Sequence, residues 1–167
     1  MRVAFISALT LVLAGCTGYH IGPVKPKFMA AVNTIAVENF KNDTLEPRIE
    51  VLVADTVIKQ IQQDGTYRIV PHDRADAILE GNITDIRRRP SRSVRGNVIA
   101  TSEFTFELEI AFHLKNRATG AVLQNRNITG QTSFFVSGDV NQDERQAIPL
   151  AAQDAAVRLV SQISEGW

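Results

Sequence analysis

Arg87, Arg88, Arg89, Arg92 and Arg95 fall within nine residues that contain no acid, the densest concentration of one chemistry in the chain. Each guanidinium is a planar fork of donors that grips a phosphate or carboxylate through two parallel hydrogen bonds. Five like charges held this close repel one another, and an anionic ligand would relieve that repulsion. Pro90 is expected to end a strand, and Ser91, Ser93 and Gly96 suit a loop, so the cluster is read as a loop between two strands. The plainer alternative is a solvated charged loop that blunts a sheet edge.

Catalytic chemistry finds no such concentration. His20, His72 and His113 are the three histidines and stand far apart, and no His-x-x-x-His, Gly-x-Ser-x-Gly or glycine-rich phosphate loop occurs. His113 would share a strand face with Glu107 and Glu109, a fragment of a metal site at most, and an ordinary surface histidine is the simpler reading. No enzymatic activity, cofactor or metal is expected.

Cys16 is the single cysteine, so no disulfide can form within the chain. It follows Arg2, an apolar run from Val3 to Leu13, and the small residues Ala14 and Gly15, the three parts of an export signal. The apolar run would cover roughly 16 Å as a helix, about half of a hydrocarbon core, so it reads as a signal to be removed rather than a span. Leu13-Ala-Gly-Cys16 resembles a lipoprotein processing site. By that resemblance Cys16 carries a thioether-linked diacylglyceryl group and an amide-linked acyl chain, and three chains anchor a protein effectively permanently. Thr17 rather than an aspartate follows, which by the same resemblance favours the outer membrane. Export excludes a nucleic-acid role for the arginines, and with 18 basic and 18 acidic side chains the protein is not a polyanion binder as a whole.

The elements that must position these residues follow from periodicity. Gly18, Gly22, Pro23 and Pro26 break any pattern over Thr17–Asn33, which reads as a tether reaching at most about 56 Å. Thr34–Phe40 reads as a strand. Asp43 or Thr44 as cap, Glu46 and Pro47 announce a helix on which Ile49, Leu52, Val53, Val57 and Ile61 form one stripe, ended by Gly65. Tyr67–Val70 and Ala77–Arg87 are strand candidates. Phe104, Phe106, Leu108, Ile110, Phe112 and Leu114 alternate with Glu103, Thr105, Glu107, Glu109, His113 and Lys115, the signature of a long antiparallel strand with one covered face. Arg117–Gly120 is a turn of hairpin length, so Ala121–Val136 should pair back, with Gly130 suggesting a bulge or bend. Phe134 and Phe135 are expected mainly under the last helix. That helix spans Asp143–Ile163, with Pro149 either kinking it or marking its first turn. The fold class is therefore α+β: two helices on one face of a mostly antiparallel sheet of about four strands, in one two-layer domain. The boundaries are a signal over 1–15, a lipidated tether over 16–33 and a folded domain over 34–167.

Cys16-Thr-Gly-Tyr-His20, Thr34-Ile-Ala-Val-Glu-Asn-Phe40 leading to Asn42-x-Thr44 and Glu46-Pro-x-x-Glu50, and Ala75-Asp-Ala-Ile-Leu-Glu-Gly81 together resemble the LptE family of lipopolysaccharide-assembly lipoproteins. The resemblance implies two helices on a sheet, a plug inside the outer-membrane barrel LptD, help in assembling that barrel, and contact with lipopolysaccharide. Phosphates of lipid A and the inner core would then be the anions for Arg87, Arg88, Arg89, Arg92 and Arg95, with the barrel interior as the other candidate contact. The strand, helix and Ala-Asp-x-x-Leu-x-Gly pattern is also similar to LpoB-like and CsgG-like lipoproteins, which bind a cell-wall synthase or form a secretion pore.

Overall fold

The computed structural model describes residues 25–93, 101–135 and 140–166. In chain order the elements are β1 (Thr34–Val37), β2 (Lys41–Asn42), α1 (Ile49–Asp64), β3 (Arg68–Ile69), β4 (Ala77–Ser93), β5 (Thr101–Asn116), β6 (Val122–Phe135) and α2 (Val140–Ser164), with 3-10 turns at Lys27–Met29 and His72–Arg74. They form one sheet in the order β3-β1-β4-β5-β6, and β2 continues the β1 side by pairing with β4. The long β4, β5 and β6 are antiparallel, as the alternation requires. The short pairings β1·β3, β1·β4 and β2·β4 are parallel. The sheet thus has six strands rather than about four, because β2 and β3 are two residues each, too short to carry a period. The α+β class and the two-helix layer are as expected. No helix among the described residues is long and apolar enough to cross a membrane.

Phe106, Leu108, Ile110, Phe112 and Leu114 on β5 are fully buried, as are Leu79 and Ile83 on β4. Each contributes roughly 2 kcal/mol by leaving water. Above them lie Val53, Val57 and Ile61 of α1 and an alanine-rich face of α2, Ala151, Ala152, Ala155, Ala156 and Leu159. Alanines let α2 approach the sheet closely. A Cβ at Gly130 would stand 2.2 Å from the Ala151 carbonyl oxygen and 2.6 Å from the Ala155 Cβ. Gly130 is therefore a point of close approach and not a bulge; the register shift between β5 and β6 falls at Leu114/Lys115. Pro149 lies in the interior of α2, with the helix continuing on both sides of it, so it does not mark the first turn.

The start of α1 also differs from expectation. Neither Asp43 nor Thr44 caps it; the residue before Ile49 is Arg48, in the left-handed conformation with φ 65° and no side-chain cap. The Asn42 side chain organises this turn instead. Its Oδ1 accepts from the Thr44 N–H at 2.9 Å, and its Nδ2 donates to the Glu46 carbonyl at 2.8 Å and to Glu50 Oε2 at 3.0 Å. Gly65 ends the helix with φ 76°, its N–H on the Ile61 carbonyl, as its type suggested. Packing begins before Thr34, because Met29 and Val32 are buried in the core. The stretch expected as tether is shortened at that end: Met29 closes the 3-10 turn, and the Val32 N–H donates to the Met29 carbonyl at 2.9 Å.

Candidate functional site

Beyond Ile83, β4 loses its parallel neighbours, and β4, β5 and β6 continue as a three-stranded blade. The arginines lie on this blade. Pro90 does not end β4, which runs through it to Ser93, with register shifts at Pro90/Arg92 and Arg92/Ser93. A proline is tolerated here because this stretch of β4 has β5 on one side only, so a missing N–H and a local bulge break no second ladder. Arg87, Arg88 and Arg89 are thus strand residues and not loop residues. Arg92 is placed through its backbone opposite Glu103, and Arg95 and Cys16 lie outside the described residues.

Strand alternation divides the three described side chains between two faces. On the open face, Arg87 pairs with Asp85 beside it on β4 and lies 4.0 Å from Glu109 of β5, while Arg89 Nε is 3.0 Å from Glu107 Oε2. Glu107 and Glu109 of β5 are hence counter-charges of Arg89 and Arg87, so the repulsion expected within the cluster is offset for these two across the strand pair. A shallow cavity of about 180 Å³ lies among Asp85, Arg87, Arg89, Glu107, Glu109 and Gln131. On the helix face, Arg88 Nη1 reaches Glu144 Oε2 of α2 at 2.8 Å, and its guanidinium sits 5.2 Å from the centre of the Phe104 ring. Phe104 stacks on Phe134 at 5.8 Å, and Phe135 is 65% exposed. Phe134 is only partly buried against the core, and Phe135 is exposed, so burial under the last helix holds in part for the first and not for the second.

These ion pairs are exposed, with Arg87 and Arg89 more than half accessible. Exposed pairs contribute only about 0–1 kcal/mol each. They orient the guanidinium planes without consuming them, and a multivalent anion can exchange with the carboxylates. Cationic forks, an aromatic pair and an exposed phenylalanine at one end of the blade suit an amphiphile with anionic head groups. Glu144 and Phe134 were invisible as partners in sequence, since they lie more than forty residues from Arg88 or outside any motif.

Among the described residues, His72 and His113 form no comparable cluster of charge. His113 Nε2 is 2.7 Å from Glu80 Oε2, across β4 and β5, rather than grouped with Glu107 and Glu109. Lys115 Nζ and His113 both hydrogen-bond Glu80 and hold its carboxyl below the usual carboxylate range. His72 lies 3.8 Å from Glu38, and these two residues line a cleft together with Glu80 and His113. Among the described residues no cluster of His, Cys, Asp and Glu could hold a metal ion.

The LptE family model, whose description is lipopolysaccharide-assembly, matches residues 32–163, most of the chain. The chain belongs to the LptE family. LptE-family membership makes it a lipopolysaccharide-assembly lipoprotein in general terms. A sequence comparison with curated proteins gives no match. Among solved structures, the uncharacterized lipoprotein B from Nitrosomonas europaea superposes with a TM-score of 0.56 at 14% identity, over 90% of this chain and 92% of that one. The minor lipoprotein from Acinetobacter baumannii gives 0.55 at 15%, over 81% and 95%. The PelC dodecamer from Paraburkholderia phytofirmans gives 0.53 at 16%, over 84% and 92%. At such identities these likenesses show a common fold.

Proposed function

We propose that this LptE-family chain is an outer-membrane lipoprotein, held on the periplasmic side by acylated Cys16. Its domain plugs and helps to assemble an LptD-type β-barrel and takes part in lipopolysaccharide delivery to the outer leaflet. In this reading residues 1–15 are removed as a signal, and the protein acts by binding rather than catalysis. Arg87, Arg88, Arg89, Arg92 and Arg95 contact lipopolysaccharide phosphates or the barrel wall.

The observation that carries the reading is the blade: half-exposed guanidiniums on both faces, beside Phe104, Phe134 and Phe135, on an extension that only three strands support. Its polar open face can meet a hydrated lumen, and its basic and aromatic end can meet phosphates and the acyl boundary together.

Extraction of a tagged copy in mild detergent tests the partner. Recovery with a large β-barrel is expected. Recovery with a peptidoglycan synthase, or as a homo-oligomeric ring, would replace this reading with that of a regulatory or pore-forming lipoprotein.

A further inference from the structure

The two open edges of the sheet are unlike. Past Ile83 the outer edge of β4 carries Arg87, Arg88, Arg89 and Pro90, residue types that discourage a further strand. The other edge is β6, the last strand in the sheet order. Between Val122 and Phe135 it has no proline and a single charge, Arg126. An edge of this length with only one charge and no proline is a ready template for a further strand.

Which groups it offers follows from register. Gln131 stands opposite Glu107, yet its N–H donates outward, to Asp154 Oδ2 of α2 at 2.8 Å. In an antiparallel ladder residues alternate between facing the partner strand and facing away. No register shift intervenes between Gln124 and Phe135. Asn125, Asn127 and Thr129 therefore also direct N–H and C=O away from β5. Beside them runs a groove of about 550 Å³ between β6 and α2, lined by Asn127, Ile128, Thr129, Val157, Arg158 and Gln162 among others. Val157 is 43% exposed there, and the buried Gln162 Oε1 has no hydrogen-bond partner. Asp154 shows that the edge accepts a carbonyl-like oxygen from outside the sheet. An edge strand flanked by a helix, with a groove between, is the arrangement by which several domains take up an extended peptide as an added strand.

We infer that the β6 edge, from Asn125 to Thr129, is a docking site for an extended, apolar-to-acidic segment of a partner protein that adds as a strand between β6 and α2. Backbone pairing with Asn125, Asn127 and Thr129 supplies register. Alternate side chains enter the groove over Val157. Charge selects the segment: Arg126 shares the helix-side face with Ile128, one residue past the groove lining, and makes no ion pair among the described residues, whereas Arg158 on the groove wall is already paired with Asp154 at 2.8 Å. An acidic residue at one end of the segment meets Arg126. The inference goes beyond the lipopolysaccharide reading and does not depend on it, because none of Arg87, Arg88 and Arg89 lines this groove.

The test uses the full chain in detergent and a synthetic peptide of alternating valine and threonine with glutamates at one end. Amide exchange is followed by NMR or mass spectrometry. The peptide is expected to slow exchange at Asn127 and Thr129 about tenfold or more, with no change along Arg87–Arg89 of β4. Replacing the peptide's glutamates by lysines should abolish the effect, and Arg126→Glu, an exposed substitution, should reverse that preference. Three results would overturn the proposal: no added protection, equal protection by the acidic and basic peptides, or concentration-dependent protection without peptide, which would mean that a second copy fills the edge.

Discussion

At the residue scale, a few side chains tie distant segments together, and their chemistry gives measurable consequences. Tyr67 is buried, and its O–H donates to the Ile163 carbonyl at 2.7 Å, joining the chain just before β3 to the end of α2. Burial, with Asp64 adding to it, pushes the phenol up to about 12, so it remains a donor over the whole useful pH range. Tyr67→Phe leaves that carbonyl without its donor and should cost about 1–2 kcal/mol, read as a lower urea midpoint at unchanged m-value. Asp76 accepts the N–H groups of Asn33 and Thr34 at 2.9 Å each, where the chain enters β1. The backbone donor of Asn33 first, then the Thr34 hydroxyl contact, hold its carboxyl below its ordinary value. Glu80 is lowered by Lys115 and His113. A carboxylate depressed in the folded state contributes stability above its unfolded pKa, and loses it as pH falls through the folded one. Stability should therefore decline as pH drops below about 4, and Asp76→Asn should flatten that decline in thermal melts recorded across the acid range.

At the element scale, the tightest constraint is the contact of α2 with β6 at Gly130. Gly130→Ala places a methyl against the Ala151 backbone, which cannot yield as a side-chain end can, and should destabilise by about 1–3 kcal/mol. A fall in melting temperature checks this; an unchanged Tm would mean that α2 sits farther from the sheet. The same elements explain how much was legible in sequence. β5 and the α1 stripe were fully readable, because a period sustained over many residues reports which face is covered. β2 and β3 were not, since two residues have no period. Pro90 misled because a proline ends a strand only where its N–H is needed, and the open side of β4 past Ile83 depends on how short β2 is. Gly130 misled for a related reason: a glycine in a strand marks either a bulge or a close approach, and only the packed α2 distinguishes them. The arginine cluster was visible by composition, but its division between two faces and its pairing with Asp85, Glu107 and Glu144 needed the register of β4 on β5.

At the scale of the whole molecule, the design is asymmetric. One face of the sheet is covered by two helices, the other is polar, and the run Arg87–Arg89 lies on the blade that continues past the short strands. The chain belongs to a lipopolysaccharide-assembly family, and under the proposed function that distribution would place the phosphate contacts at one end of the domain. Arg88→Ala with Arg89→Ala removes one guanidinium from each face. Only exposed pairs are lost, so the melting temperature should move by no more than a few degrees.

The most direct measurement is lipopolysaccharide binding by the purified protein, wild type against this double variant, at two ionic strengths. Binding by the wild type that weakens with salt, and falls about tenfold or more in the double variant while its melting temperature holds, is the expected result. Equal affinity of the two proteins would contradict the assignment of the arginine blade to lipopolysaccharide.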